Sequence, residues 1–79
     1  MDHTVTVYST PTCSWCQAAK EHFRSHGIDF EDVDVSAEMT RAREMIEKSG
    51  QYGVPVIDID GEIIVGFDRT RIDALLGLS

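Results

Sequence analysis

Within its first 35 residues the chain switches hydrophobic period twice, and that restricts its fold more than any other feature. Thr4-Val5-Thr6-Val7-Tyr8 is β-branched and alternating, which suits a strand. Ser9-Thr10-Pro11-Thr12 breaks it with turn and capping residues. From Cys13 to about His26 the period is helical, with Cys16, Ala19 and Phe23 on one stripe and Lys20, Glu21 and Arg24 largely outside. Thr12 is placed to cap this helix and Gly27 to stop it. Ile28 to Val35 returns to period two, with Val33 and Val35 on one face. A strand, a helix and a strand in succession imply a right-handed crossover and a parallel pair.

The rest of the chain extends that sheet. Ser36 can cap a second helix running to about Ser49, whose candidate buried stripe is Met39, Ala42 and Ile46 with Met45 beside it. Gly50 to Gly53 loosens the chain, and Val54 to Ile59 reads as a strand with Pro55 at its very start. Asp60-Gly61 is a two-residue hairpin turn, and Glu62 to Val65 is the returning strand. Asp68 can cap a short last helix that turns Ile72, Leu75 and Leu76 inward and closes at Gly77. The order is β-α-β-α-β-β-α: an α/β fold with one four-stranded mixed sheet flanked by helices. With 79 residues there is room for a single domain spanning 1–79, and the 42% hydrophobic content argues against disorder.

Seven basic residues against fourteen acidic ones give a net charge of −7, so nucleic acid is a poor partner. No stretch reaches the ~20 apolar residues of a membrane span. Met1-Asp2-His3-Thr4 lacks the basic start and apolar run of a signal peptide, so the cytoplasm is the expected compartment. A monomer is the expected state.

Two cysteines, Cys13 and Cys16, sit three apart where the first strand hands over to the first helix. As a staple the pair is badly placed: chain entropy gives about 2 kcal/mol for so short a loop, against about 3 for fifteen residues. As a redox pair it is well placed. Unpaired N–H groups and the helix dipole at the first turn favour an anion, and the thiolate is the attacking species in disulfide exchange. Cys13 is therefore the expected nucleophile, and Cys16, one turn on along the same face, the expected resolving thiol. The competing reading is a dimeric metal or iron–sulfur module using the same thiolates. A second Cys-x-x-Cys is missing, two cysteines ligate only half a cluster, and His22 and His26 lie two or more turns from Cys13 on what reads as a solvated face. No metal ligand is expected.

A Cys-x-x-Cys in this position resembles the thioredoxin-like redox motif. Tyr8-Ser9-Thr10-Pro11-Thr12-Cys13-Ser14-Trp15-Cys16, with Ala19-Lys20 following, resembles the active-site segment of glutaredoxins. Gly53-Val54-Pro55 resembles that family's Thr-Val-Pro, and Gly66-Phe67-Asp68 falls at its Gly-Gly turn. The resemblance runs essentially end to end. It implies the thioredoxin fold, a protein-disulfide reductase, a cis Pro55 facing the cysteines, and a Val54 backbone that pairs with extended substrate. No tightly bound cofactor is implied, only an external reductant, which is either glutathione or a thioredoxin reductase-type flavoenzyme. Partners are then disulfide-containing proteins and that electron donor.

The departures bear on the donor. Thr10 stands where glutathione-gripping relatives commonly have a lysine, Phe67 replaces the second glycine, and Thr70 stands near the place of their downstream aspartate. Gly66-Phe67 instead resembles redoxins recharged by thioredoxin reductase, although Ile64-Val65 stands where those have Trp-Ser. The candidate substrate surface is Thr10, Pro11, Trp15, Val54, Pro55, Gly66, Phe67 and Asp68. Trp15, a large aromatic between the cysteines, reads as a contact surface. Lys20 either supports the thiolate or is simply solvated, and Phe67 either joins the core or rims the site. Met39 and Met45 read as core.

Overall fold

The computed structural model describes residues 3–78. Seven elements follow one another: β1 (Val5–Ser9), α1 (Ser14–Ser25), β2 (Glu31–Asp34), α2 (Met39–Ser49), β3 (Val56–Ile59), β4 (Glu62–Val65) and α3 (Arg69–Leu76). The sheet order is β2-β1-β3-β4, with β1 and β2 parallel and the other two pairs antiparallel. This is the thioredoxin fold. No helix among the described residues is long and apolar enough to cross a membrane.

Period-two alternation sends the side chains of β1 into two cores. Val5 and Val7 join Ile57, Ile59 and Ile64 on one face, where Ala19 and Phe23 of α1 and Ile72 and Leu76 of α3 cover them. Tyr8 points the other way and packs with Val33, Val56 and Met45 of α2. Helices therefore lie on both faces of the sheet. The β3–β4 hairpin turns at Asp60 (φ 52°) and Gly61 (φ 92°), the left-handed pair that such a turn needs. Asp60 is held there because its carboxylate accepts the Thr4 N–H at 2.7 Å.

Several boundaries move from where the sequence puts them, each because a local hydrogen bond wins. Cys13, not Thr12, caps α1: its sulfur accepts the Cys16 N–H. The second strand starts at Glu31 instead of Ile28, because the amides of Gly27 and Ile28 close α1 by bonding back to the carbonyls of Arg24 and Phe23, with Gly27 at φ 66°. Ser36 does not cap α2. Its amide and hydroxyl go to the Asp34 carboxylate, and the helix begins three residues later behind Glu38. Met39, in that first turn, is 73% exposed, while Met45 is buried and Ala42 and Ile46 are half-buried.

Two polar residues assigned to solvated faces are buried. Lys20 is 6% exposed, with its ammonium 3.0 Å from Asp32, and His22 is 8% exposed, with Nε2 2.7 Å from the Asp73 carboxylate. A buried polar group needs a partner, and in both cases another element supplies it.

Candidate active site

The site is built where β1 ends and α1 begins. Cys13 adopts an extended backbone (φ −88°, ψ 112°) that turns the chain into the helix, and its amide bonds to the Thr10 carbonyl at 3.3 Å. Its sulfur, half-buried, receives the Cys16 N–H at 3.1 Å, one of the free amides of the first turn. Cys16 lies beneath with no exposed surface. Burial, and next the contact with Cys13, push its thiol up to about 12, with the backbone of Thr10 and the charge of Lys20 pulling the other way. The two sulfurs thus occupy different environments, one accessible and amide-bonded, the other dry and protonated at neutral pH.

The opposite wall comes from the loop before β3. The Val54–Pro55 bond is cis, Pro55 is buried, and the Val54 carbonyl stands 3.9 Å from Cys13 Sγ. The Pro55 carbonyl accepts the Gly66 N–H at 2.8 Å, which ties the turn after β4 to the same loop. Trp15, Val54, Pro55, Gly66 and Phe67 line an open groove of about 240 Å³, and Trp15 stands 65% exposed over it. Phe67 does both things the sequence left open. It packs partly against the α1–α3 core and also lines this groove.

The remaining candidates divide. Thr10 faces a second groove on the α2 side, whereas Pro11 borders a polar one with Gln17, Lys20, Arg24, Asp32 and Asp34. Asp68 is exposed, and its carboxylate caps α3 by accepting the Arg71 N–H at 3.2 Å. Lys20 sits under the site, bound to Asp32, which also takes the Ser9 hydroxyl at 3.1 Å. Its charge acts on Cys16. Tyr8, part of the active-site-like segment, is buried on the far face, where its hydroxyl bonds to Glu44 and receives Lys48 at 2.8 Å.

Three residues at the site's margins escaped the sequence reading. His22 backs Phe67 edge-on at 5.6 Å between ring centres and is itself held by Asp73, 51 residues away in the chain. No local pattern links such a pair. Tyr52, 81% exposed beside the second groove, was legible in principle as an aromatic in a glycine-flanked loop just before Val54-Pro55.

The glutaredoxin family model matches residues 5–64, three-quarters of the chain, and both cysteines lie inside the match. The chain belongs to the glutaredoxin family. Among individual relatives it is 53% identical over 72 residues to an uncharacterized glutaredoxin-like 8.6 kDa protein in the rubredoxin operon of Clostridium pasteurianum, covering 91% of this chain and 96% of that one. It is 36% identical over 75 residues to glutaredoxin 3 of Escherichia coli, covering 94% and 90%. A solved point mutant of the thioredoxin-like protein BC3987 superposes with a TM-score of 0.91 at 26% identity, covering 96% and 97%. Family and fold together make this glutaredoxin a thiol oxidoreductase. Glutaredoxins work with an external reductant, glutathione or a reductase.

Proposed function

We propose that this glutaredoxin reduces protein disulfides by dithiol exchange, with Cys13 as nucleophile and Cys16 as resolving thiol. The observation that carries the reading is the asymmetry of the two sulfurs around one shared contact. Cys13 Sγ is accessible and already accepts an amide N–H, the kind of donor that stabilises the attacking thiolate. Cys16 is dry and held protonated, so it waits until the mixed disulfide at Cys13 brings a good leaving sulfur within reach. The charge of Lys20 favours a thiolate at Cys16, and we assign it to that step.

Substrate approaches over Trp15 and Phe67 and pairs with the Val54 backbone beside Pro55. Thr10 and Pro11 form the opposite shoulder, and Asp68 contributes by fixing the start of α3 behind Gly66-Phe67. For the electron donor we favour a thioredoxin reductase-type flavoenzyme over glutathione. Glutathione is an anion whose carboxylates need a cationic or N–H-rich cradle. Here the chain is acidic, Thr10 offers no charge, and the Trp15–Phe67 groove has no charged side chain in its walls.

The test is to supply the oxidised protein with each reducing system and follow NADPH consumption in the presence of a disulfide substrate. Turnover is expected with the flavoenzyme, to be abolished in Cys13→Ser, while Cys16→Ser accumulates mixed disulfides. Turnover with glutathione and glutathione reductase alone would overturn the donor assignment. Full activity in Cys13→Ser would overturn the exchange mechanism.

A further inference from the structure

Two grooves meet at Val54. One is the Trp15–Phe67 groove; the other, about 340 Å³, lies on the α2 side between Thr10, Val35, Ala42, Met45, Tyr52 and Val54. Met45 is buried at its floor, Tyr52 stands 81% exposed at its rim, and no charged side chain lines it. Between the grooves, the Val54 amide has no hydrogen-bond partner among the described residues, while its carbonyl lies 3.9 Å from Cys13 Sγ.

Resting on the exchange reading above, we propose that the α2-side groove is a side-chain subsite for an extended protein segment that carries the disulfide, and that it selects an apolar residue next to the substrate cysteine. An extended segment laid along Val54 can bond to its free amide, as strand addition does. Successive side chains of such a segment point to opposite sides. One therefore enters the Trp15–Phe67 groove and its neighbour the groove of Tyr52 and Met45. A charged side chain placed there would lose hydration and meet no counter-charge, whereas an apolar one gains contact with Met45, Ala42 and the ring of Tyr52. The same lack of counter-charge disfavours the carboxylates of glutathione, so the occupant is a protein segment with an apolar residue flanking its cysteine.

The chemistry balances within the proposed exchange. The Cys13 thiolate attacks the substrate disulfide, forms a mixed disulfide and expels one sulfur as a thiolate. Cys16, losing its proton, then attacks Cys13 Sγ and releases the second substrate thiolate. The protein is left oxidised as the Cys13–Cys16 disulfide and the substrate reduced by two electrons, with its two thiolates free to take protons.

Single turnover of the pre-reduced protein tests the subsite without any reductase. The probes are symmetric disulfides of a short, end-blocked peptide with leucine, serine or aspartate beside its cysteine, together with glutathione disulfide and the small neutral hydroxyethyl disulfide. The leucine peptide is expected to react about tenfold faster than the serine peptide, with the aspartate peptide and glutathione disulfide slower still. Tyr52→Ala, in an exposed loop, and Ala42→Leu, which fills the groove, are each expected to bring the leucine-to-serine ratio toward one. Equal rates for all peptides, a ratio unchanged in both variants, or glutathione disulfide reacting fastest would overturn the subsite while leaving the exchange reading standing. No reduction of any probe, hydroxyethyl disulfide included, would overturn the exchange reading and the subsite with it.

Discussion

Cys16 is the residue whose behaviour follows most directly from its surroundings, and raising the pH on the reduced protein exposes it. With no exposed surface, and in contact with Cys13, it is pushed from an ordinary 9.0 to about 12. At pH 8 about one molecule in ten thousand then carries a Cys16 thiolate, against about one in ten for a thiol of ordinary pKa. Alkylation requires the thiolate, so Cys16 in the native protein is expected to react with iodoacetamide about a thousandfold more slowly than in the chain unfolded in guanidinium. Half-buried Cys13 takes the label first. Timed quenching at pH 8, with fragmentation of the labelled peptide to place the adduct, reads both rates.

The same shift has a signed effect on stability. Below about pH 9 Cys16 keeps its proton in both folded and unfolded chains, and its contribution to stability is fully present. Above that, the unfolded chain releases the proton while the folded one holds it, so stability falls as pH rises toward 12, by about 4 kcal/mol across the whole window. A urea midpoint for the reduced protein that drops between pH 9 and 10.5, and drops less in Cys16→Ala, is the expected result. Cys16 labelled at pH 8 as fast as in the unfolded chain, or equal pH slopes for the two proteins, would refute the reasoning.

Two further outcomes are expected. Trp15 is the only tryptophan and lies between the cysteines, 65% exposed, so adding dithiothreitol to the oxidised protein should change its fluorescence reversibly; an unchanged spectrum with thiol titration confirming reduction would remove Trp15 from the site. Asp73→Ala leaves the buried Nε2 of His22 without its partner, a loss of about 1–3 kcal/mol, which in a domain this small lowers Tm by roughly 5–20 °C. A melt followed by circular dichroism checks it, and a shift of under one degree would show that water replaces the carboxylate.

The element order, the sheet and the cysteine pair were legible because each is written in neighbouring residues. Strand and helix periods place Val5, Val7, Phe23 and Ile72 in the core without knowledge of any contact, and Asp60-Gly61 and Asp68 state their turn and cap in one or two letters. Where local signals competed, the reading slipped by a turn or less. Thr12 and Cys13 could each cap α1, and Ser36 could cap α2 or bond to Asp34; sequence alone does not rank two such hydrogen bonds. Met39 and Met45 both belong to a plausible stripe, and the start of the helix at Met39 turned Met45 toward Tyr8 and Val56.

Local residue patterns therefore carry the fold, the family and the place of Cys13 and Cys16 at a helix start. How the site is furnished depends on contacts between distant segments. Lys20 and His22 carry the signature of a solvated helix face, yet both are buried because β2 brings Asp32 to one and α3 brings Asp73 to the other. Phe67 lies between the groove and the ring of His22, and two grooves meet at Val54 because a loop and a helix distant in sequence converge on it. Apolar periodicity is a property of one segment, so it can be read from that segment. The burial of a polar or charged side chain depends on a partner that folding delivers from elsewhere, and nothing in the residue's own neighbourhood announces it.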